Sequence, residues 1–135
     1  MSAEFVIEYV ILPDLRLPAR EFIDSLDDDA AAKVDNLISR LRQFGTGMPG
    51  KFVTKLTGNI FELRVKHYDR IFRILFFFQP GRLIVLTSGF QKKSQQTPPG
   101  EIGRAERLRE LWLKYRNRYP DSETERQRIA LREGV

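Results

Sequence analysis

Apolar and polar residues alternate most sharply at positions 60–66, where Phe61, Leu63 and Val65 interleave with Glu62, Arg64 and Lys66. A period of two predicts a strand with one buried and one polar face. At positions 71–78, Phe72, Ile74, Phe76 and Phe78 fall on one side, and Arg73 falls on the other with Ile71, Leu75 and Phe77. Positions 83–90 are apolar on both faces, as in a central strand. Gln79, Pro80, Gly81 and Arg82 carry the turn chemistry between these two runs. Such short connections predict an antiparallel meander.

The flanks read differently. Positions 4–12 are rich in Val, Ile, Phe and Tyr and predict a first strand that Pro13 ends. Pro18 suits a helix start, where its missing N–H costs nothing, and Phe22, Ile23 and Leu26 supply one short apolar face. Asp27, Asp28 and Asp29 put negative charge at the start of a second helix, in favourable register with its dipole. Val34, Leu37, Ile38 and Leu41 follow at helical spacing until Gly45, Gly47, Pro49 and Gly50 break the pattern. The expected result is a helical hairpin after an N-terminal strand. Near the other end, Thr97 reads as an N-cap with proline in the first turn. Ile102, Ala105, Leu108, Leu111, Trp112 and Tyr115 then form a stripe that Pro120 ends or kinks. Residues 1–118 are expected to form one α+β domain. The charged tail, 119–135, is expected to be a frayed helix or disordered.

Charge changes the picture more than composition does. The net charge is +5, but residues 1–50 hold 5 Lys/Arg against 9 Asp/Glu, and residues 51–93 hold 9 against 2. The basic excess therefore sits in the predicted sheet. It serves either as a solubilising surface or as a patch for a polyanion. The absence of cysteine excludes disulfides and thiolate metal sites, and a single histidine argues against zinc. No run approaches the ~18 apolar residues of a membrane span, and the N-terminus has no secretory pattern. A cytoplasmic protein without membrane contact, metal or cofactor is expected.

Arg64 and Arg73 each interrupt an apolar strand on the face away from the expected core. If the strands pair as a hairpin, both guanidiniums project from one surface. There they can hold phosphate oxygens or stabilise the charge of a phosphorane. The alternative is structural, with Arg64 paired to Glu62 or Asp69. Lys92 and Lys93 follow the last strand directly, after Gly89 and Phe90. Gly89 leaves room for a ligand to approach the backbone. Phe90 is either a base-stacking ring or the last core residue of its strand. His67, the lone imidazole, is either a general base or a solvated turn residue. Lys66, Arg70 and Ser88 join Phe90 as expected RNA contacts.

In order and spacing, these pieces resemble the HigB-like branch of the RelE/ParE toxin superfamily. The likeness runs from about Lys55 to Ala105. It rests on Leu56 and Gly58; Glu62, Leu63 and Arg64; Phe72, Arg73, Ile74 and Phe76; Gly89, Phe90, Lys92 and Lys93; and Thr97, Pro98 and Glu101. The resemblance implies a small, mostly antiparallel sheet with two N-terminal helices packed on it and a C-terminal helix. It implies a ribosome-dependent mRNA endonuclease of a type II toxin–antitoxin system, held in check by a cognate antitoxin, a helix-turn-helix protein. In such enzymes the ribose 2′-OH attacks the adjacent phosphate without metal. By this likeness Arg64 and Arg73 hold and stabilise the phosphate, Lys92 or Lys93 grips the backbone or assists proton transfer, and Phe90 orients a base. Related sequences often carry histidine where this chain has Ser88, and tyrosines in the third strand where it has phenylalanines. That departure brings in two alternatives, a ParE-like non-enzymatic inhibitor of DNA gyrase and a catalytically degenerate binding module.

Overall fold

The longest element upstream of the sheet is built by its own ends. Asp27 caps it, accepting a hydrogen bond from the Ala30 amide at 3.3 Å, and Asp28 and Asp29 occupy its first turn. The cap satisfies an amide that the helix itself leaves unpaired, and the two charges sit favourably at the positive end of its dipole. The helix, α2, runs Asp28–Phe44 and buries Ala30, Val34, Leu37, Ile38 and Leu41. It stops at Gly45, whose φ of +52° favours glycine, and a side chain there would overlap the Phe5 ring. The shorter α1, Pro18–Asp24, starts on proline and buries Ala19 and Ile23.

The computed structural model describes residues 4–92 and 96–118. Besides α1, α2 and a short 3-10 turn, Gly45–Gly47, it contains strands β1 (Val6–Tyr9), β2 (Val53–Lys55), β3 (Phe61–His67), β4 (Arg70–Gln79) and β5 (Leu83–Gln91), and helix α3 (Pro99–Arg118). The sheet order is β1-β5-β4-β3-β2. β2 through β5 pair antiparallel, and β1 lies parallel to β5 at the edge. The class is α+β, with a mixed five-stranded sheet and three helices. The expected meander is present as β3–β4–β5.

Three features depart from the pattern reading. β2 is an added edge strand, too short and polar to stand out by alternation. β1 is shorter than positions 4–12, because the chain turns at Leu12–Arg16, with the Leu15 amide bonded to the Leu12 carbonyl at 2.8 Å and Leu15 at φ +70°. The helices also divide between the two sheet faces. On one face α1 and α2 cover Leu63, Val65, Phe72, Ile74, Phe76, Ile84 and Leu86. On the other, Ala105, Leu108 and Trp112 of α3 pack on Leu75, Phe77 and Val85, with Trp112 edge-on to Phe77 at 5.6 Å. Each fully buried Phe, Leu or Ile adds about 1.5–3 kcal/mol, so both faces contribute to the core. Pro120 and the charged tail lie outside the described residues. Among those described, no helix is long and apolar enough to cross a membrane.

A bulge in β5 decides which residues share a face. Leu75 pairs with Ser88 but Phe76 pairs with Leu86, so Thr87 is the extra residue. Its hydroxyl bonds the Leu75 carbonyl at 3.0 Å, occupying an acceptor beside the interrupted ladder. Before the bulge, Ile84 and Leu86 face α2. After it the parity reverses, and Ser88 and Phe90 turn to the α3 face.

Candidate nucleic-acid interface

The α3 face of the sheet carries Arg64, Arg73 and Lys66 in cross-strand rows. Arg64 pairs with Arg73, and Arg73 pairs with Phe90. One row over, Lys66 pairs with Ile71, whose carbonyl accepts the Lys92 amide at 2.7 Å. On the other side, Glu62 pairs with Leu75, and Leu75 with Ser88. A cleft of about 480 Å³ opens over these rows. Lys51 and Thr54 line it from the β2 side, Glu62, Arg64 and Arg73 from the sheet, Lys92 from the end of β5, and Gln96 and Thr97 from the approach to α3. Among the described residues, four cations therefore line the cleft with one carboxylate.

The two arginines differ in state. Arg73 is buried, and its Nη1 donates to Glu62 Oε1 at 2.5 Å, Glu62 Oε2 at 2.7 Å and Thr97 Oγ1 at 2.6 Å. The Thr97 hydroxyl donates in turn to Glu62 Oε1. Arg64 is half-buried and makes no ion pair among the described residues, and its buried Nε has no hydrogen-bond partner. Glu62 thus pairs with Arg73 rather than Arg64, across the diagonal of the β3–β4 ladder. It screens two like charges that register places directly opposite each other.

The other predicted contacts divide. Lys66 is exposed and shares the cleft face, and Lys92 lines the cleft itself. Phe90 is half-buried against the α3-side core, closer to the structural alternative. Ser88 is fully buried, with its hydroxyl 3.2 Å from that of Thr87. Arg70 lies on the opposite sheet face. It reaches Asp27 at the start of α2 at 2.8 Å and covers the Phe72 ring. That contact raises the Arg70 pKa and lowers that of Asp27, in both cases chiefly through their shared hydrogen bond. His67 shares the face with Arg70, since the two are register partners. Lys93 lies outside the described residues. Gly89 does not open the backbone to a ligand: a Cβ there would meet Phe22 Cδ2 at 2.5 Å and Ile74 Cδ1 at 2.8 Å. Its missing side chain makes room for α1.

Pattern reading missed Lys51, which lies in the glycine- and proline-rich break after α2. The Lys51 ammonium sits 5.0 Å from the Phe52 ring centroid, a cation–π contact that holds it at the cleft rim. The sequence pattern marks Thr97 as an N-cap, but α3 begins at Pro99, and the Thr97 hydroxyl closes the buried network instead. Among the described residues, no group of three or more His, Cys, Asp or Glu is arranged to hold a metal ion.

Residues 21–110 match the family model described as Phage derived protein Gp49-like (DUF891). The chain belongs to this family. The match starts within α1 and ends within α3, so it spans β2 through β5 and every described residue that lines the cleft. The Gp49-like proteins are a RelE/HigB-type toxin family, which is compatible with a toxin–antitoxin toxin and suggests a cognate antitoxin as partner. A comparison with curated proteins finds no match.

Proposed function

We propose that this Gp49-like protein is the toxin of a type II toxin–antitoxin system and cleaves mRNA on the ribosome. The observation that carries the reading is the Arg64–Arg73 row at the base of a cation-lined cleft. One guanidinium there is fixed by a carboxylate and the other makes no ion pair among the described residues. The ribose 2′-oxygen attacks the adjacent phosphorus and the bond to the 5′-oxygen breaks, leaving a 2′,3′-cyclic phosphate and a 5′-hydroxyl. The 2′-OH loses its proton and the departing 5′-oxygen gains one. Arg64 holds the non-bridging oxygens, Arg73 stabilises the charge of the phosphorane, and Lys92, with Lys93 beside it in sequence, grips the backbone and assists proton transfer. Lys66 extends the RNA path along the same face. A cognate helix-turn-helix antitoxin restrains the activity.

Mapping RNA ends after induction tests the reading. Codon-linked cuts in translated messages are expected, and they should vanish in Arg64→Ala. Intact mRNA on induction would overturn it.

A second reading, a ParE-like inhibitor of DNA gyrase, is favoured by one observation. Ser88 is buried, and neither histidine nor tyrosine is among the cleft-lining residues described. Growth arrest with DNA breaks and uncut mRNA would select it.

A further inference from the structure

The buried network under the cleft joins three elements. Glu62 comes from β3, Arg73 from β4, and Thr97 from the turn into α3. Glu62 and Arg73 expose only 4% and 7% of their side chains. A buried ion pair is weak evidence for a stability role, because apolar residues of similar volume commonly serve at least as well. The apolar neighbours to replace it are present, since Leu75 and Phe77 line the same face. The network does, however, fix a direction. Three oxygens converge on one nitrogen of Arg73, and the hydroxyl that closes the ring belongs to a cleft-lining residue. A guanidinium held this way cannot follow a ligand, so the ligand must come to it.

We propose that Glu62 and Thr97 are positioning residues that aim Arg73 at the scissile phosphate, and that Glu62 does so while lowering the positive charge of the cleft by one. The inference rests on the RNA-cleft reading above. It separates affinity from turnover. A merely structural carboxylate would lose both when altered, whereas an aiming carboxylate also opposes the polyanion electrostatically. Its neutral isostere should therefore bind RNA more tightly and cleave it more slowly.

The test uses the full-length protein, a labelled single-stranded RNA as binding probe, and message cleavage in a translation reaction of purified components. Glu62→Gln should bind the probe more tightly, with a salt slope steeper by ~0.7, the contribution of one added charge on single strands. Its turnover should fall about 100-fold, the loss that a misplacement of about 1 Å produces. Glu62→Asp keeps the charge but withdraws the carboxylate, so affinity and slope should hold while turnover falls. Thr97→Val should lose turnover and Thr97→Ser should restore it, which keeps the proposal testable if the Glu62 variants fold poorly. Wild-type turnover in Glu62→Gln, or equal loss in both Thr97 variants, would overturn the positioning role. Arg64→Ala distinguishes the two levels. If it leaves probe binding and cleavage unchanged, the RNA-cleft reading itself has failed. If it loses both while Glu62→Gln cleaves normally, only the positioning role has failed.

Discussion

Arg64 and Arg73 are direct cross-strand partners, yet Glu62 neutralises Arg73 and leaves Arg64 without an ion pair among the described residues. The pair therefore divides into one cation held in place and one able to engage an incoming anion. Arg64→Ala should weaken binding of single-stranded RNA on the order of 10-fold, the worth of a charge-assisted hydrogen bond. The salt slope should flatten by ~0.7. Fluorescence anisotropy across a salt series reads both quantities, and an unchanged slope would remove Arg64 from the phosphate contacts.

The buried pair carries a stability consequence of its own. Glu62→Ala leaves the Arg73 charge in a buried site, and breaking such a pair costs about 3–5 kcal/mol. Replacing Glu62 and Arg73 together by methionine should cost much less than the two single losses combined. Urea unfolding of the three variants measures this. Additive losses would mean that the two residues do not act as a unit.

Gly89 should resist substitution for reasons of packing. An added methyl meets Phe22 of α1 and Ile74 of β4, and overpacking of this kind costs about 1–3 kcal/mol. Gly58→Ala, at a site with nothing within 4 Å, is the matched control and should be near neutral. Thermal melting compares the two, and a Gly89→Ala protein as stable as the wild type would refute the packing account.

The Asp27–Arg70 contact should give a pH signature. Because Arg70 lowers the Asp27 pKa in the folded state, the stabilisation is present above the unfolded carboxylate value of about 3.9 and is lost as pH falls through the lower folded value. Asp27→Asn retains a capping side chain but not the charge. Its stability deficit should therefore be seen near neutrality and close under acid. A deficit constant with pH would place the effect in the cap rather than in the ion pair.

Much of this architecture follows from local rules. The alternation of Phe61, Leu63 and Val65 with Glu62, Arg64 and Lys66 determines a two-faced strand, because side chains on a strand must point to opposite sides. The acidic start of α2 and the glycine at its end are likewise local chemistry. By strand parity alone, Arg64 and Arg73 belong away from the α2-side core. The charge count places the basic excess in the sheet.

Long-range contacts decided the rest. Glu62 lies 11 residues from Arg73 and Thr97 lies 24, so no spacing rule reveals which arginine the carboxylate selects; only the stacked strands and the return of the chain into α3 bring them together. Arg70 reads as one more cation in a basic run, but hairpin register turns it to the far face, where α2 presents Asp27. The Thr87 bulge is invisible in a strand whose residues show no strict alternation, yet it reverses parity and carries Phe90 into the row with Arg73. The sequence by itself determined a basic, two-faced sheet. The tertiary structure decided which of its cations is bound and which is available, because charge is a property of residues whereas partnership depends on which strands and helices meet.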